Sequence, residues 1–354
     1  MKQTRRAADK LASLRVQLEQ SSSTSTLASA LPVLMKSPLD KLSILPSFGR
    51  RVPRKHTRRG ALDKFVAIGS TLPTMSRSAS SEPLVRAARR LNRASGVLAL
   101  SVLLDSAIEH YRGSFRNKAM FTPLVTSALT LGVSAHGVSD KRPTAHVVRD
   151  TIYVLAALTG LVGTGFHVFN VTKRPGGLTW QNLFYGAPLG APTAILLSGL
   201  LGYYAERIRN NEAGTTPDVF GLPAGRALAA LTAAGLVGTT GEAGLLHFRG
   251  AYQDPFMFLP VTVPPVAAAL MADTAFGPKK RNRWFTRLWL RLTLLLGFAG
   301  VGFHTYGVSR NMGSWRNWRQ NLLNGPPIPA PPSFTGLAIA GLAAMRLLKD
   351  HPDA

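Results

Sequence analysis

Residues 110–113 read His-Tyr-Arg-Gly, and residues 247–250 read His-Phe-Arg-Gly, 137 positions later. The same shift relates Gly-Phe-His at 165–167 to Gly-Phe-His at 302–304. Each of these histidines lies at the end of a long apolar stretch. The second half of the chain therefore repeats the first, and the pattern predicts a duplicated membrane protein. The repeated histidines are His110, His167, His247 and His304.

Apolar segments recur along the whole chain, and most approach the ~20 residues needed to cross about 30 Å of hydrocarbon. There are eight: 94–111, 119–138, 150–170, 187–205, 226–246, 256–275, 285–305 and 333–348. We predict an all-α, polytopic membrane protein of about eight transmembrane helices, formed by tandem duplication of a four-helix half. The repeats are 94–207 and 226–348. An even number of spans in each half gives both halves the same orientation, related by an axis along the membrane normal.

Composition excludes several classes of protein. The chain has 354 residues, a net charge of +25 and no cysteine, so it has no disulfide, thiolate metal site or cysteine nucleophile. In a soluble protein this charge would indicate nucleic-acid binding, but in a membrane protein excess Lys and Arg mark cytoplasmic loops and headgroup contacts. We therefore predict contact with the lipid bilayer and no nucleic-acid partner. The common motifs of soluble enzymes, such as the P-loop, are missing from the sequence.

The N-terminal segment differs from the rest. Residues 1–93 are rich in Ser, Arg and Pro and poor in acids, which predicts a basic, largely disordered segment. Three interpretations compete: a basic tail on the membrane surface, an organellar presequence, or a start codon assigned too early, with Met75 as the favoured start. The larger set of loop Lys and Arg lies on one side, which predicts a bacterial inner-membrane protein with both termini cytoplasmic and the four histidines outside.

Glycines precede two of the repeated histidines at helical spacing. The positions four and seven residues before His167 and His304 are Gly160, Gly163, Gly297 and Gly300. Such a strip lets a second backbone or a flat ring approach closely. One hypothesis is a redox subunit that binds b-type haem through paired histidines near the outer face, with His167 and His304 as one pair of iron ligands and His110 and His247 as a second. The alternative is that the glycines allow helix packing and the histidines anchor the helix ends.

Acidic residues lie inside two equivalent spans. Asp105 and Glu242 each precede a repeated histidine by five residues, and an ionisable group within a span indicates function. They are candidates for proton transfer, and a second hypothesis is a proton- or cation-coupled transporter or channel that uses them. The discriminating feature is whether the acids, rather than the histidines, face the axis between the halves. The structural alternative is a buried hydrogen bond or ion pair between helices.

The outer loops 172–186 and 309–325 share a Gln-Asn-Leu motif followed by Gly-x-Pro. A third hypothesis is a membrane anchor whose extracytoplasmic partner docks on these loops, and the alternative is ordinary anchoring at the membrane interface. A membrane metalloenzyme with His and carboxylate ligands is a fourth. The remaining histidines have no counterpart at the 137-residue shift and are interpreted as surface residues. They are His56, His136, His146 and His351.

Overall fold

The computed structural model of this protein describes residues 82–212, 215–278, 283–351 and 353. The predicted disorder of residues 1–81 and the alternative start at Met75 lie outside this part of the chain. The described chain is helical apart from one short hairpin. Its ten α-helices are α1 Glu82–Arg112, α2 Thr122–Ser139, α3 Val147–Thr172, α4 Trp180–Tyr185, α5 Gly190–Arg209, α6 Ala224–Arg249, α7 Leu259–Phe276, α8 Trp284–Arg310, α9 Trp318–Asn324 and α10 Pro332–Asp350. The hairpin pairs β1 Asp218–Val219 with β2 Leu222–Pro223.

The order of elements in residues 82–209, the first half, recurs in residues 224–350, the second half. Each half has four long helices, with a six- or seven-residue helix before the last. A single-turn 3₁₀ helix precedes both α2 and α7, and it is capped identically. Asn117 accepts a hydrogen bond from the backbone N–H of Ala119, and Asp254 accepts one from that of Phe256. Equivalent polar residues therefore begin equivalent helices.

The first helix begins earlier than predicted. α1 starts at Glu82, so residues 82–93, which the sequence assigned to the disordered segment, form its first three turns. Leu84, Ala87, Ala88 and Leu91 are buried at helical spacing, and they pack in the main core. The frequent arginines on the other face of these turns concealed this apolar stripe in a composition-based analysis.

Four helical segments are long and apolar enough to cross a membrane: α1, α3, α8, and α7 with its preceding turn. The surface supports the same conclusion. Leu158, Leu161 and Phe166 on α3, like Leu295 and Phe298 on α8, are more than half exposed. A soluble monomer rarely exposes apolar patches of this extent, whereas lipid solvates them. The prediction of an all-helical membrane protein is confirmed in this form.

Helices of both halves contribute to one apolar core. In the first half α1 packs against α2 and α5, and α3 packs against α5; in the second half α6 packs against α7 and α10, and α8 against α10. The halves meet where α1 contacts α10 and α5 contacts α6. We call the end where α1, α3, α6 and α8 finish the histidine side, and the opposite end the arginine side.

Candidate functional site: carboxylates and histidines at the junction of the halves

Each repeated histidine lies near the end of a helix and makes a hydrogen bond to a backbone carbonyl further along the chain. His110 Nδ1 lies 2.7 Å from the carbonyl oxygen of Met120, and His247 Nδ1 lies 2.9 Å from that of Met257. His304 Nδ1 lies 2.7 Å from the carbonyl oxygen of Pro327, and His167 makes the equivalent bond to Pro188. A carbonyl oxygen only accepts, so Nδ1 carries a proton in all four rings, and Nε2 is not part of this bond. The repeated histidines thus share one donor nitrogen and one anchoring role.

The histidines approach one another within halves. The rings of His247 and His304 have centroids 6.3 Å apart at an interplanar angle of 70°. In the first half, His110 lies within electrostatic range of His167. The haem hypothesis paired His167 with His304 and His110 with His247, across the halves. The ring contact that the structure contains joins His247 with His304 instead.

The glycine strips are occupied by neighbouring helices. A side chain at Gly160 would overlap the backbone of Leu196 on α5, and one at Gly297 would overlap the backbone of Thr335 on α10. Pro192 and Pro331 cover Gly163 and Gly300 in the same way. Close helix approach accounts for all four glycines, as small residues do in membrane helix pairs. The part of the haem hypothesis that required a groove open to a flat ring is not supported by this packing.

Asp105 and Glu242 both lie near the contact between the two halves. Glu242, on α6, accepts a hydrogen bond of 3.1 Å from the backbone N–H of Gly190, the first residue of α5. A helix N-terminus carries partial positive charge, which suits a carboxylate. Asp105, on α1, lies within electrostatic range of both Glu242 and Glu109. Glu242 is thus among the charges that act on Asp105, and both residues are half-buried.

Glu109 and Arg112 complete the charges at this place. Arg112 Nη1 lies 3.1 Å from Glu109 Oε1, and the same guanidinium donates a hydrogen bond to the carbonyl oxygen of Leu323 on α9. Arg112 is also the positive charge that acts on Asp105. We call Asp105, Glu109 and Glu242 the acidic site. Next to it, α9 of the second half covers the end of α1, and we call these covering residues of the histidine side the rim.

Aromatic and cationic contacts close this rim in a crossed arrangement. Arg319, beside the start of α9, lies over the ring of Tyr111 and donates to its hydroxyl at 2.5 Å. In the other direction, the guanidinium of Arg249 on α6 lies 5.7 Å from the ring centroid of Phe184 on α4. Each short helix therefore covers a long helix of the opposite half.

The asparagine of the repeated Gln-Asn-Leu motif organises its own loop. Asn182 Nδ2 donates to the carbonyl oxygens of Pro175 and Gly177, at 3.0 and 2.8 Å. Asn321 Nδ2 donates to those of Met312 and Ser314, at 3.2 and 2.8 Å. The motif recurs because both loops close in the same way, so its repetition by itself does not indicate a binding surface.

Sequence reasoning missed a buried ion cluster on the arginine side of the first half. Arg149 donates two hydrogen bonds of 2.9 Å to the carboxylate of Glu206, and a third of 2.8 Å to Asp140. Arg209 donates to the carbonyl oxygens of Gly137, Asp140 and Arg142. The side chains of Arg149, Glu206 and Arg209 are at most 1% exposed. These charges lie at span ends, where the sequence counted them as loop residues.

His136 and His146 both contact this cluster. His136 is exposed, as expected of a surface residue, whereas His146 is half-buried. His136 Nδ1 accepts a hydrogen bond of 3.2 Å from Arg149, and the rings of His136 and His146 are 5.4 Å apart. Burial, followed by the positive charge of Arg149, lowers the pKa of His146. Burial would raise the pKa of Asp140, but hydrogen bonds from Arg142 and Arg149 outweigh it and hold that pKa well below its ordinary value.

A chain of polar side chains continues from Tyr153 into the interior of the first half. The Tyr153 hydroxyl donates to Asn92 Oδ1 at 2.6 Å and lies 3.2 Å from Ser134 Oγ. Ser134 donates to Ser95 Oγ at 3.2 Å, and Ser95 exchanges bonds of 2.8 Å with Ser198 through their hydroxyls and carbonyls. All five residues are buried.

The described residues hold no group of three or more His, Asp or Glu side chains arranged to bind a metal ion. In comparisons with known proteins, no family model, curated protein or solved structure matches this chain. Any function must therefore be argued from the chemistry of these residues.

Proposed function

We propose that the chain is an eight-span bacterial inner-membrane protein, formed by tandem duplication of a four-helix unit, with both termini in the cytoplasm. The duplication is supported by the recurring order of elements, the identical histidine ties and the matching glycine contacts. Eight helices of 18 residues or more lie in the described chain, in line with eight spans. The orientation rests on the excess of Lys and Arg on the arginine side.

Within this frame, we propose that the protein couples proton movement to transport at Asp105 and Glu242. The proposal is supported by the hydrogen bond that links Glu242 on α6 to the start of α5, and by the effect of the Glu242 charge on Asp105. These two acids come from equivalent positions of the sequence. Carboxylates that repel each other accept a proton or a cation to neutralise their charge. Parallel repeats bring binding groups together near their common axis in many transporters.

A proton fits the site better than a divalent metal does. Glu242 accepts one hydrogen bond, from the backbone N–H of Gly190. A divalent cation prefers several oxygen ligands, and no group of three candidate ligands exists in the described residues. Protonation of the Glu242 carboxylate would weaken its bond to the start of α5, which would loosen the contact of α5 with α6.

Reconstituted liposomes test this proposal. An imposed pH gradient should drive proton entry that a pH-sensitive dye inside the vesicles reports. Asp105→Asn and Glu242→Gln should each abolish this flux, while Glu82→Gln, which neutralises an exposed acid at the start of α1, should leave it unchanged. Flux that persists in both Asp105→Asn and Glu242→Gln would refute the assignment.

A b-type haem is the second candidate function, and one observation favours it. All four histidines donate Nδ1–H to a carbonyl, which leaves Nε2 out of that bond, in the manner of metal-binding histidines. The contact between His247 and His304 makes these two the first ligands to test. A visible spectrum of the protein, purified from haem-sufficient cells, decides the matter. A Soret band lost in His304→Ala would support haem, and a colourless protein would contradict it.

The anchoring hypothesis stays a prediction. A partner on loops 172–186 and 309–325 would meet a rim whose aromatic and cationic groups already bind one another, as Arg249 does with Phe184. The remaining exposed aromatic side chains of this rim, such as Trp180 and Trp318, suit the membrane interface equally well.

A further inference from the structure

A cavity of about 460 Å³ opens on the arginine side, between α1, α8 and α10. Each of these helices supplies two cationic side chains, three or four residues apart and therefore on one face. The polar lining consists of Arg90, Arg93, Arg287, Arg291, Arg346 and Lys349, and no acid is among them. Because α1 belongs to the first half and α8 and α10 to the second, the cavity lies at the junction of the halves.

Few acidic side chains neutralise the cations that line the cavity. Arg346 pairs with Asp350 at 2.9 Å, and this is the one ion pair made by a lining residue in the described chain. The charges that act on Arg90 are those of Arg346, Arg93 and Arg86, with Asp350 as the opposing charge. Like charges held this close repel one another, so the arrangement favours an anion with more than one negative charge.

The apolar residues around the cavity indicate that the anion belongs to a lipid rather than to a soluble molecule. Ile339 and Leu342 form the rest of the cavity wall. On α8, Leu288 and Leu292 follow Arg287 and Arg291 directly and are each 40% exposed, on the surface that faces lipid. Polar binding groups therefore continue into an apolar surface, as a molecule with a charged head and acyl chains requires. A soluble anion would use the cations and leave this surface unused.

We propose that this cavity binds the headgroup of an acidic phospholipid, and that its six cations favour a headgroup with two phosphates, such as that of cardiolipin. Arginine binds phosphate oxygens with two parallel hydrogen bonds, which suits five of the six cations. Basic pockets between membrane helices on the cytoplasmic side bind such headgroups. A lipid in this place would join α1 to α8 and α10, and so hold the two halves together.

Native mass spectrometry of the full chain in a neutral detergent tests the proposal. The protein is titrated with cardiolipin, with phosphatidylglycerol and with phosphatidylcholine. We expect cardiolipin to bind most tightly and phosphatidylcholine at least tenfold more weakly. Arg287→Gln with Arg291→Gln should lower the affinity for cardiolipin by roughly 30-fold, since each basic residue near an anionic membrane surface contributes about a factor of five.

The matched control is Arg116→Gln with Lys118→Gln, the same change of charge on the exposed histidine side. It should bind cardiolipin as the wild-type chain does. Equal affinity for cardiolipin and phosphatidylcholine, or equal loss in both double variants, would overturn the proposal.

Two further measurements test whether the site binds a soluble anion instead of a lipid, and whether binding depends on charge if the variant does not fold. Inorganic pyrophosphate that binds the lipid-free protein as tightly as cardiolipin does would identify a site for a soluble anion, and the lipid assignment would be wrong. If the Arg287 and Arg291 variant does not fold, the salt dependence of the wild-type chain decides. Cardiolipin affinity that falls as ionic strength rises supports the cationic cavity, and affinity independent of salt refutes it.

Discussion

The two halves of the molecule share their helices, loops and histidine ties, but their interiors differ. The first half buries Arg149, Glu206 and Arg209 on the arginine side. The position 137 residues after Arg149 is Thr286. Beyond a two-residue insertion the shift becomes 139, so Glu206 and Arg209 correspond to Met345 and Leu348. A similar order of helices therefore accommodates a charged cluster in one half and neutral side chains in the other.

Two equivalent pairs of residues are in contact in both halves, although the residue types differ. His136 and His146 are in ring contact in the first half. Their counterparts, 137 residues later, are Asp273 and Arg283, which form an ion pair of 2.9 Å. The geometry that brings the end of one helix to the start of the next is thus retained, and either an aromatic or an ionic contact satisfies it.

The polar chain of the first half is also replaced. Tyr153 and Ser134 correspond to Leu290 and Met271, both fully buried and both part of the main apolar core. In lipid, apolar surface alone does not drive helices together, and hydrogen bonds and close packing do. The first half uses hydrogen bonds for this purpose, and the second uses packing. The four predictions below test this difference.

The largest effect is expected from removing the charge of Glu206. Glu206→Gln leaves Arg209 buried without its ion-pair partner and Arg149 with Asp140 alone, which should cost about 3–5 kcal/mol of stability. Met345→Leu, at the equivalent position of the second half, should cost less than ~1.5 kcal/mol. Thermal unfolding in detergent measures both. Equal losses would show that the two interiors do not differ energetically.

Transplanting the second half's residues into the first should reverse much of this loss. A triple variant, Arg149→Thr with Glu206→Met and Arg209→Leu, removes all three charges together. Replacing buried ion pairs by neutral residues is often neutral or stabilising, and Asp140 keeps its ion pair with Arg142. The triple variant should therefore recover at least half of the loss seen in Glu206→Gln. A triple variant less stable than the single one would indicate that the first half depends on its charges for folding.

The hydroxyl of Tyr153 should contribute a smaller amount. Tyr153→Phe keeps the shape but leaves the buried oxygen of Asn92 without its donor, and should cost about 1–3 kcal/mol. Tyr306→Phe, at an exposed tyrosine of the second half, is the matched control and should change stability by less than ~0.5 kcal/mol. The same thermal measurement compares the two.

The smallest effect concerns pH. The folded chain lowers the pKa of His146, so protons bind the unfolded chain more readily, and stability is lost as the pH falls below about 6.5, the ordinary value of histidine. His136, Arg142, Arg149 and Glu206 are the charged or titratable groups that face it. His146→Gln should reduce the fall in thermal midpoint between pH 7.5 and 5.5.

His351→Gln, a change near the C-terminus, should leave that pH profile as it is in the wild-type chain. An unchanged profile in His146→Gln would mean that other groups carry the acid sensitivity. Asp140 contributes only at lower pH, because its lowered pKa stabilises the fold above the ordinary aspartate value and is lost in stronger acid.

Apolar runs were enough to predict the long helices, and the repeated motifs placed the four histidines near helix ends. The predicted span 226–246 lies within α6, and 150–170 lies within α3. The short helices α4 and α9 were not predicted, because six or seven residues carry too little periodic signal. The start of α1 was misplaced because four arginines interrupt the apolar residues of its first turns.

The sequence by itself determined the class of the protein, since lipid demands long apolar helices and their period is visible in one dimension. It also identified the equivalent acids and histidines, because repetition is a property of the chain. Only the tertiary structure decided which of these residues meet. Glycines beside His167 admit α5 rather than a cofactor ring, and Glu242 binds the start of α5, since the packing of distant helices sets those contacts. The ion cluster around Arg149 likewise exists only because three separate segments bring their charges into one buried place.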